Sequence, residues 1–269
     1  METKLVCSDI DGTLLNKDRE LSALSISTIK QLSPIPFILI SSRMPQAMFH
    51  LQQELDITNL PMIAYNGALI KDQELILQST EIDGRSSSQI AKFCSETSIH
   101  LSLYHNNEWY VPAMDYWAKR EANNTKVTPV VNTIDDTLNT WESQNKGAHK
   151  IMCMGDELEI EALAQYIESN LKNKVIGYRS KPTYLEISPC KISKLTAIES
   201  LIKTNYPKTQ LTNVVAFGDN YNDIDMLNAV GLGVAVENAN SEAQQVADHI
   251  THSNKEDGVA LFIKNHLLG

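Results

Sequence analysis

Three apolar runs before residue 66, Leu5-Val6-Cys7, Phe37-Ile38-Leu39-Ile40 and Met62-Ile63-Ala64-Tyr65, each stop on a polar group and are separated by stretches of helical periodicity. The first predicted helix runs from about Ser22 with Ile26, Ile29 and Leu32 on one side; the next opens near Pro45 and carries Met48, Leu51 and Leu55. Nearly continuous apolar strands alternating with helices imply a parallel sheet covered on both faces. Ligands of such a sheet bind beyond the carboxyl ends of its strands. Here those ends read Asp9-Ile10-Asp11-Gly12-Thr13, Ser41-Ser42-Arg43 and Asn66-Gly67.

From about Asp83 the pattern changes. A helix with Ile90, Phe93 and Thr97 leads to His100–Tyr104, an Asn106-Asn107 pair and Trp109–Val111, which reads as a hairpin. Lys150–Cys153 then precedes a long helix with Ile160, Leu163, Ile167 and Leu171, followed by short strands near Val175 and Leu185. Antiparallel α+β composition marks an inserted domain, residues 83–188. The first pattern resumes in a helix bearing Leu195, Ile198 and Ile202, the strand Val214–Phe217, a short helix after Asp223, the strand Gly233–Val236 and a last helix ending near Leu267. Residues 1–82 and 189–269 therefore form one α/β domain interrupted by another.

The strand Val214–Phe217 ends in Gly218-Asp219, with Asn222-Asp223 just beyond, so a fourth strand delivers polar residues to the same edge. Alternation along the first strand places Asp9 and Asp11 on one side, two carboxylates close enough to repel. A divalent cation compensates such a pair; Mg²⁺ takes oxygen ligands from one or two carboxylates plus phosphate and water. The pattern points to phosphoryl transfer.

The formal charge of −10 argues against a surface built for nucleic acid or anionic lipid, while leaving room for a small phosphorylated metabolite beside a bound cation. Met1–Lys4 lead straight into the first strand, so no targeting segment is expected, and no apolar run approaches the roughly 18 residues of a membrane span. Four scattered cysteines without a Cys-x-x-Cys pair suit reduced thiols and a cytoplasmic location. The histidines show no metal-binding spacing, and Trp109, Trp117 and Trp141, all in the insertion, are expected to pack rather than to stack on a sugar.

Taken together, Asp9–Leu15 (DIDGTLL), Ile40–Arg43, Tyr65–Gly67, Lys194 in ISKLTAI, GDNYNDIDML from Gly218 and Thr251–Ala260 (THSNKEDGVA) resemble the haloacid dehalogenase superfamily, and the chain as a whole resembles its Cof-type, subclass IIB phosphatases. The resemblance implies a Rossmann-like core with an inserted cap of the C2B type, and Mg²⁺-dependent hydrolysis of small phosphate monoesters, sugar phosphates foremost. It implies Asp9 as nucleophile, forming an aspartyl phosphate, and Asp11 as general acid and then base. Mg²⁺ would be held by Asp9, the Asp11 carbonyl, Asp219 and Asn222 or Asp223. Ser41 and Lys194 would contact the transferring phosphoryl group, with Gly12, Ser42, Arg43, Asn66 and Gly67 as substrate-binding positions.

Two departures from the family pattern stand out. Ser41-Ser42-Arg43 replaces the usual Thr-Gly-Arg, and Leu195 replaces the Gly that commonly follows the motif lysine, which leaves Lys191 as a lesser candidate for that charge. Other readings of single residues are Asn222 or Asp223 as a helix N-cap, Arg43 as a surface residue, and Asn254 and Gly258 as loop-shaping residues. A phosphomutase like the phosphomannomutases shares the Asp pair and a similar cap. A phosphoacceptor module akin to response-regulator receivers is a third reading, against which stand the insertion and Asp11. The identity of the ester and the oligomeric state leave no mark in the sequence.

Overall fold

The computed structural model describes residues 2–268. It divides into two compact units, Met1–Ser42 with Met48–Leu77 and Ser193–Gly269, and Arg43–Ala47 with Gln78–Ile192. The first unit begins with β1 (Leu5–Ser8), α1 (Ala23–Lys30), β2 (Phe37–Leu39), α2 (Gln46–Leu55) and β3 (Met62–Ala64). Ser22 caps α1, its hydroxyl accepting from the Ser25 amide at 2.9 Å. The predicted third parallel strand does not simply extend the sheet. Tyr65 and Asn66 both take left-handed backbone (φ 53° and 56°) and turn the chain back into β4 (Leu69–Asp72), which pairs antiparallel with β3 and is followed by β5 (Leu75–Ser79). Among the described residues, β3 meets the main sheet through a single parallel bridge, Ile40 to Ile63.

The second unit contains α3 (Gly84–Ser95), β6 (His100–His105), β7 (Glu108–Val111), α4 (Tyr116–Thr125), β8 (Val130–Val131), α5 (Ile134–Ser143), β9 (Lys150–Met154), α6 (Glu157–Asn170), β10 (Val175–Lys181) and β11 (Tyr184–Pro189). The Asn pair is the hairpin turn, with Asn106 at φ 48°. The six strands run in the order β10-β11-β9-β6-β7-β8. Ile90 of α3, Trp141 of α5 and Leu163 of α6 pack with Leu101, Leu103, Ile151, Cys153 and Leu185 of one sheet face. Trp109 and Trp141 are buried, as expected of packing residues, and Trp117 lies edge-on to Tyr184 at 5.5 Å.

Residues 78–82 group with this unit rather than with the first because of named bonds. Ile82 bridges Ala148, the Glu81 carboxylate accepts from the Gly147 amide at 2.6 Å, and the Ser79 hydroxyl meets His149 Nε2 at 2.9 Å. The Asn106 amide donates to His149 Nδ1 at 3.1 Å, which puts the ring proton on Nε2. Burial, with His105 beside it, pushes the His149 pKa down to about 3, so the ring is neutral. A metal at Nε2 would have to displace that proton while Nδ1 already accepts, so Glu81, His105 and His149 are a hydrogen-bonded brace despite their proximity.

The chain returns to the first unit in α7 (Lys194–Asn205), β12 (Val214–Gly218), α8 (Ile224–Ala229), β13 (Leu232–Val236), α9 (Ser241–Val246), β14 (His249–Thr251) and α10 (Gly258–His266). The main sheet is parallel in the order β14-β13-β12-β1-β2. β1 is therefore flanked on both sides, and α7 buries Ala197, Ile198 and Leu201 against Leu5, Cys7, Ile38 and Val214. Among the described residues no helix is long and apolar enough to cross a membrane.

Candidate active site

The Asp9 amide donates to Phe217 O at 3.0 Å, the last rung between β1 and β12, and this holds the Asp9 carboxyl at the strand tip. From there the chain makes one wide turn, closed by the Leu15 amide on Ile10 O at 3.0 Å. Gly12 sits inside it at φ 89°; a Cβ there would lie 2.5 Å from Asp219 Oδ2, so no side chain fits between the turn and that carboxylate. Thr13, buried, donates to Asp219 Oδ1 at 2.7 Å. The Asp9–Leu15 loop and the Gly218-Asp219 loop are thus pinned together.

Lys194 is 1 % exposed, and its ammonium donates to Asp9 Oδ1 at 2.5 Å and Asp223 Oδ1 at 2.6 Å. It arrives there because Ser193 and Thr196 form a reciprocal capping box that starts α7 at Lys194. Gly67 (φ 103°) lets the Tyr65–Gly67 turn approach this helix start; a Cβ on it would lie 2.6 Å from Ser193 O. Leu195 in place of the family glycine leaves the lysine in the site, and Lys191 is exposed. The other oxygen of Asp223 accepts from the amides of Asp219 and Asn220, both at 3.0 Å.

Burial raises the Asp9 pKa well above the carboxylate range; Lys194 opposes this, and Asp223 and Asp219 add to it. Asp219 is pushed up to about 6, by burial first and then by Asp223. For Lys194 burial works against the charged form, yet Asp223 and Asp9 outweigh it and move the pKa upward. The charges that repel Asp9 are therefore Asp223 and Asp219, whereas the sequence pattern pointed to Asp11. The strand ends at Ser8, so alternation no longer governs Asp11, which lies half-exposed in the turn beside Arg19 (3.8 Å).

Of the remaining expected residues, Ser41, Ser42, Asn66, Gly67 and Asn222 belong to the first unit and Arg43 to the second. Ser41 is buried at the end of β2, its amide on Ile63 O (2.9 Å) and its carbonyl accepting from the Asn66 amide (2.8 Å), with Ser42 next to it. The Asn66 and Asn222 side chains bond each other at 2.9 Å, so Asn222 faces the Asn66 turn. Neither Asn222 nor Asp223 caps the following helix through its side chain; Asn220 caps the short turn before it. Arg43 is buried as well, not on the surface, and donates to Ala47 O at 3.2 Å. Asn254 Nδ2 donates to Leu15 O at 2.7 Å, and Gly258 O accepts from Thr251 at 2.8 Å, which makes both part of the loop scaffold.

Three partners are new. Thr13 holds Asp219, Arg19 faces Asp11, and Asn238 Nδ2 donates to Gly12 O at 2.8 Å while its Oδ1 accepts from the Asn254 amide at 2.8 Å. No local sequence signal ties these residues to their partners: Thr13 and Asp219, and Asn238 and Gly12, meet across the sheet edge, while Arg19 folds back on Asp11 within one loop.

Oxygens of Asp9, Asp219 and Asp223 lie within 4.8 Å of one another. Three carboxylates facing one ammonium leave surplus negative charge in a largely buried place, and an all-oxygen donor set is what a hard divalent cation takes. The residues fit Mg²⁺.

The family model for haloacid dehalogenase-like hydrolases matches residues 6–263. The chain belongs to this family. A protein of Haemophilus influenzae named as a phosphatase is 32% identical over 269 residues, covering 98% of both chains. A 5-amino-6-(5-phospho-D-ribitylamino)uracil phosphatase of Bacillus subtilis is 27% identical, covering 99% of each. A haloacid dehalogenase-like hydrolase of Bacteroides thetaiotaomicron superposes with a TM-score of 0.88 at 26% identity, over 98% of this chain and 99% of that one. The chain is a Cof-type member of the family and a phosphoric monoester hydrolase.

Proposed function

We propose that this chain is a cytoplasmic, Mg²⁺-dependent phosphatase of small phosphate monoesters, sugar phosphates foremost, working through an aspartyl phosphate on Asp9, with residues 83–188 as the cap that helps select the ester. The observation that carries the reading is Lys194 buried between Asp9 and Asp223, with Asp219 alongside. The Bacillus relative, whose named substrate carries its phosphate on a ribityl chain, supports a phosphorylated sugar or polyol. Four free cysteines support a reducing compartment.

In the first half-reaction an Asp9 oxygen attacks phosphorus and the ester oxygen leaves with a proton from Asp11. In the second, Asp11 takes a proton from a water that attacks the phosphoaspartate, releasing inorganic phosphate and restoring Asp9. Lys194 opposes the rise that burial imposes on the Asp9 pKa, positions the carboxyl and offers positive charge to the phosphoryl oxygens, with the Ser41 hydroxyl as a further donor. Gly12, Ser42, Arg43, Asn66 and Gly67 line the substrate side. Asp9, the Asp11 carbonyl, Asp219 and Asn222 or Asp223 would hold Mg²⁺, which when bound would supply the charge that lets an anionic nucleophile approach an anionic ester.

The test is phosphate release from a panel of sugar phosphates, nucleotides and cofactor phosphates, with Asp9→Asn as the blank. Activity retained by Asp9→Asn, or unchanged by EDTA, would refute the mechanism. Hexose phosphate isomerisation without inorganic phosphate would identify a mutase, and a long-lived phosphoaspartate without turnover a signalling acceptor.

A further inference from the structure

Arg19 stands at the tip of a turn built around one side chain. Asn16 Oδ1 accepts from the amides of Asp18 (2.9 Å) and Glu20 (3.1 Å), Asn16 O accepts from the Arg19 amide (3.0 Å), and the Asn16 amide donates to Glu20 O (3.0 Å). The base of the turn is fixed by Asn254 on Leu15 O (2.7 Å). These bonds hold Arg19 in left-handed backbone (φ 63°), a conformation a residue of its type does not choose for itself. Of the other charges of the turn, Lys17 pairs with Asp18 at 2.8 Å, and Glu20 is exposed. What the turn presents is a guanidinium 3.8 Å from Asp11 Oδ1.

As an ion pair this contact contributes little. The two side chains are 49% and 36% exposed, the separation is long, and solvent screens it. Its position says more. Under the mechanism proposed above, the ester oxygen must come within about 2.6–3.2 Å of the Asp11 carboxyl to receive its proton. A guanidinium 3.8 Å from Oδ1 then lies within about 7 Å of an ester oxygen that meets the same Oδ1. An anionic group whose central atom is three to five bonds from the ester oxygen can reach across that distance, and the planar fork of Arg suits a carboxylate or phosphate.

We infer that Arg19 is a specificity-determining residue that selects phosphate esters whose leaving group carries a second anion close to the ester oxygen. The inference rests on Asp11 serving the leaving group and narrows the sugar-phosphate class to phosphorylated sugar acids or closely spaced bisphosphates. Arg19 takes no part in bond making; exchanging Asp11 for the substrate's anion also frees Asp11 as the group approaches.

The test compares kcat/KM for glycerol 3-phosphate, 3-phosphoglycerate and glycerol 1,3-bisphosphate in the wild type, Arg19→Ala and Arg19→Lys, with Mg²⁺ present and p-nitrophenyl phosphate as the generic ester. The wild type is expected to favour at least one anionic ester over glycerol 3-phosphate by about tenfold, the worth of one charge-assisted contact. Which of the two is favoured tells carboxylate from phosphate. Arg19→Ala brings the ratio near one, chiefly through KM, and Arg19→Lys keeps part of it, with unfolding midpoints of all three proteins alike. Equal use of the esters by the wild type, or an unchanged ratio in Arg19→Ala, overturns the inference while the phosphatase reading stands. No phosphate release even from p-nitrophenyl phosphate overturns that reading and the inference with it.

Discussion

Replacing Lys194 with Met keeps the shape of the side chain and removes the one ammonium that, among the described residues, faces Asp9 and Asp223. Lys194 and Asp223 are 1 % and 0 % exposed, so water cannot substitute for the lost charge. Breaking a buried pair from one side costs about 3–5 kcal/mol, and the cluster has a third carboxylate in Asp219. The loss is expected to depend on pH in a definite direction. Asp219, already raised from 3.8 to about 6, binds its proton more tightly folded than unfolded, so stability falls as pH rises through that window. Without Lys194 the remaining carboxylates hold protons to still higher pH. The full cost should therefore appear at pH 8, and about half of it at pH 5, where protons replace the missing ammonium.

Metal-free thermal unfolding of wild type and variant at both pH values reads this directly. At about 2–4 °C per kcal/mol, the variant should melt roughly 10 °C lower at pH 8. A loss below about 1 kcal/mol at pH 8, or an equal loss at both pH values, would show that Lys194 does not balance the cluster.

Further outcomes follow from the same geometry. Gly12→Ala meets Asp219 Oδ2 at 2.5 Å in left-handed backbone, so about 1–3 kcal/mol of stability and most of the turnover should be lost, measured by urea unfolding and phosphate release. Apparent Mg²⁺ affinity, from calorimetric titration, should weaken by up to about tenfold per pH unit below pH 6, because protons on Asp219 compete with the cation; a flat profile contradicts this. Asn254→Ala leaves Leu15 O without its buried donor and should cost about 1–3 kcal/mol in urea unfolding.

Strand and helix alternation was legible wherever a segment had one buried side. β1, β2, β12 and β13 are short and apolar, and α7 has a clear inward stripe. β5 is hard to read from the sequence because Leu75 and Ile76 are exposed and, of its apolar residues, Leu77 alone packs against the core. α4 was missed for a similar reason: its buried residue is Ala118, and the rest of the segment reads as polar. The chemistry at the strand ends was readable because each acidic or hydroxyl residue follows its own strand. The connections among them were not. Thr13 and Asp219 are 206 residues apart and Asn238 and Gly12 are 226 apart, so only the packing of parallel strands side by side brings them together. The two aspartates at the first strand looked alike in sequence, yet Asp9 is in a buried charge cluster and Asp11 in a half-exposed turn. Their different surroundings come from where the strand stops.

The central claim is that Asp9 carries the phosphoryl group. Asp11→Asn lacks the base for the second half-reaction, so this variant, mixed with Mg²⁺ and an ester with a good leaving group such as p-nitrophenyl phosphate, should accumulate phosphoenzyme. Acid quenching within milliseconds and peptide mass mapping should then place the phosphoryl group on the peptide containing Asp9, and in the Asp9→Asn protein it should be absent. A phosphoryl group on Ser41 or any other residue, or turnover with no covalent intermediate, would contradict the account.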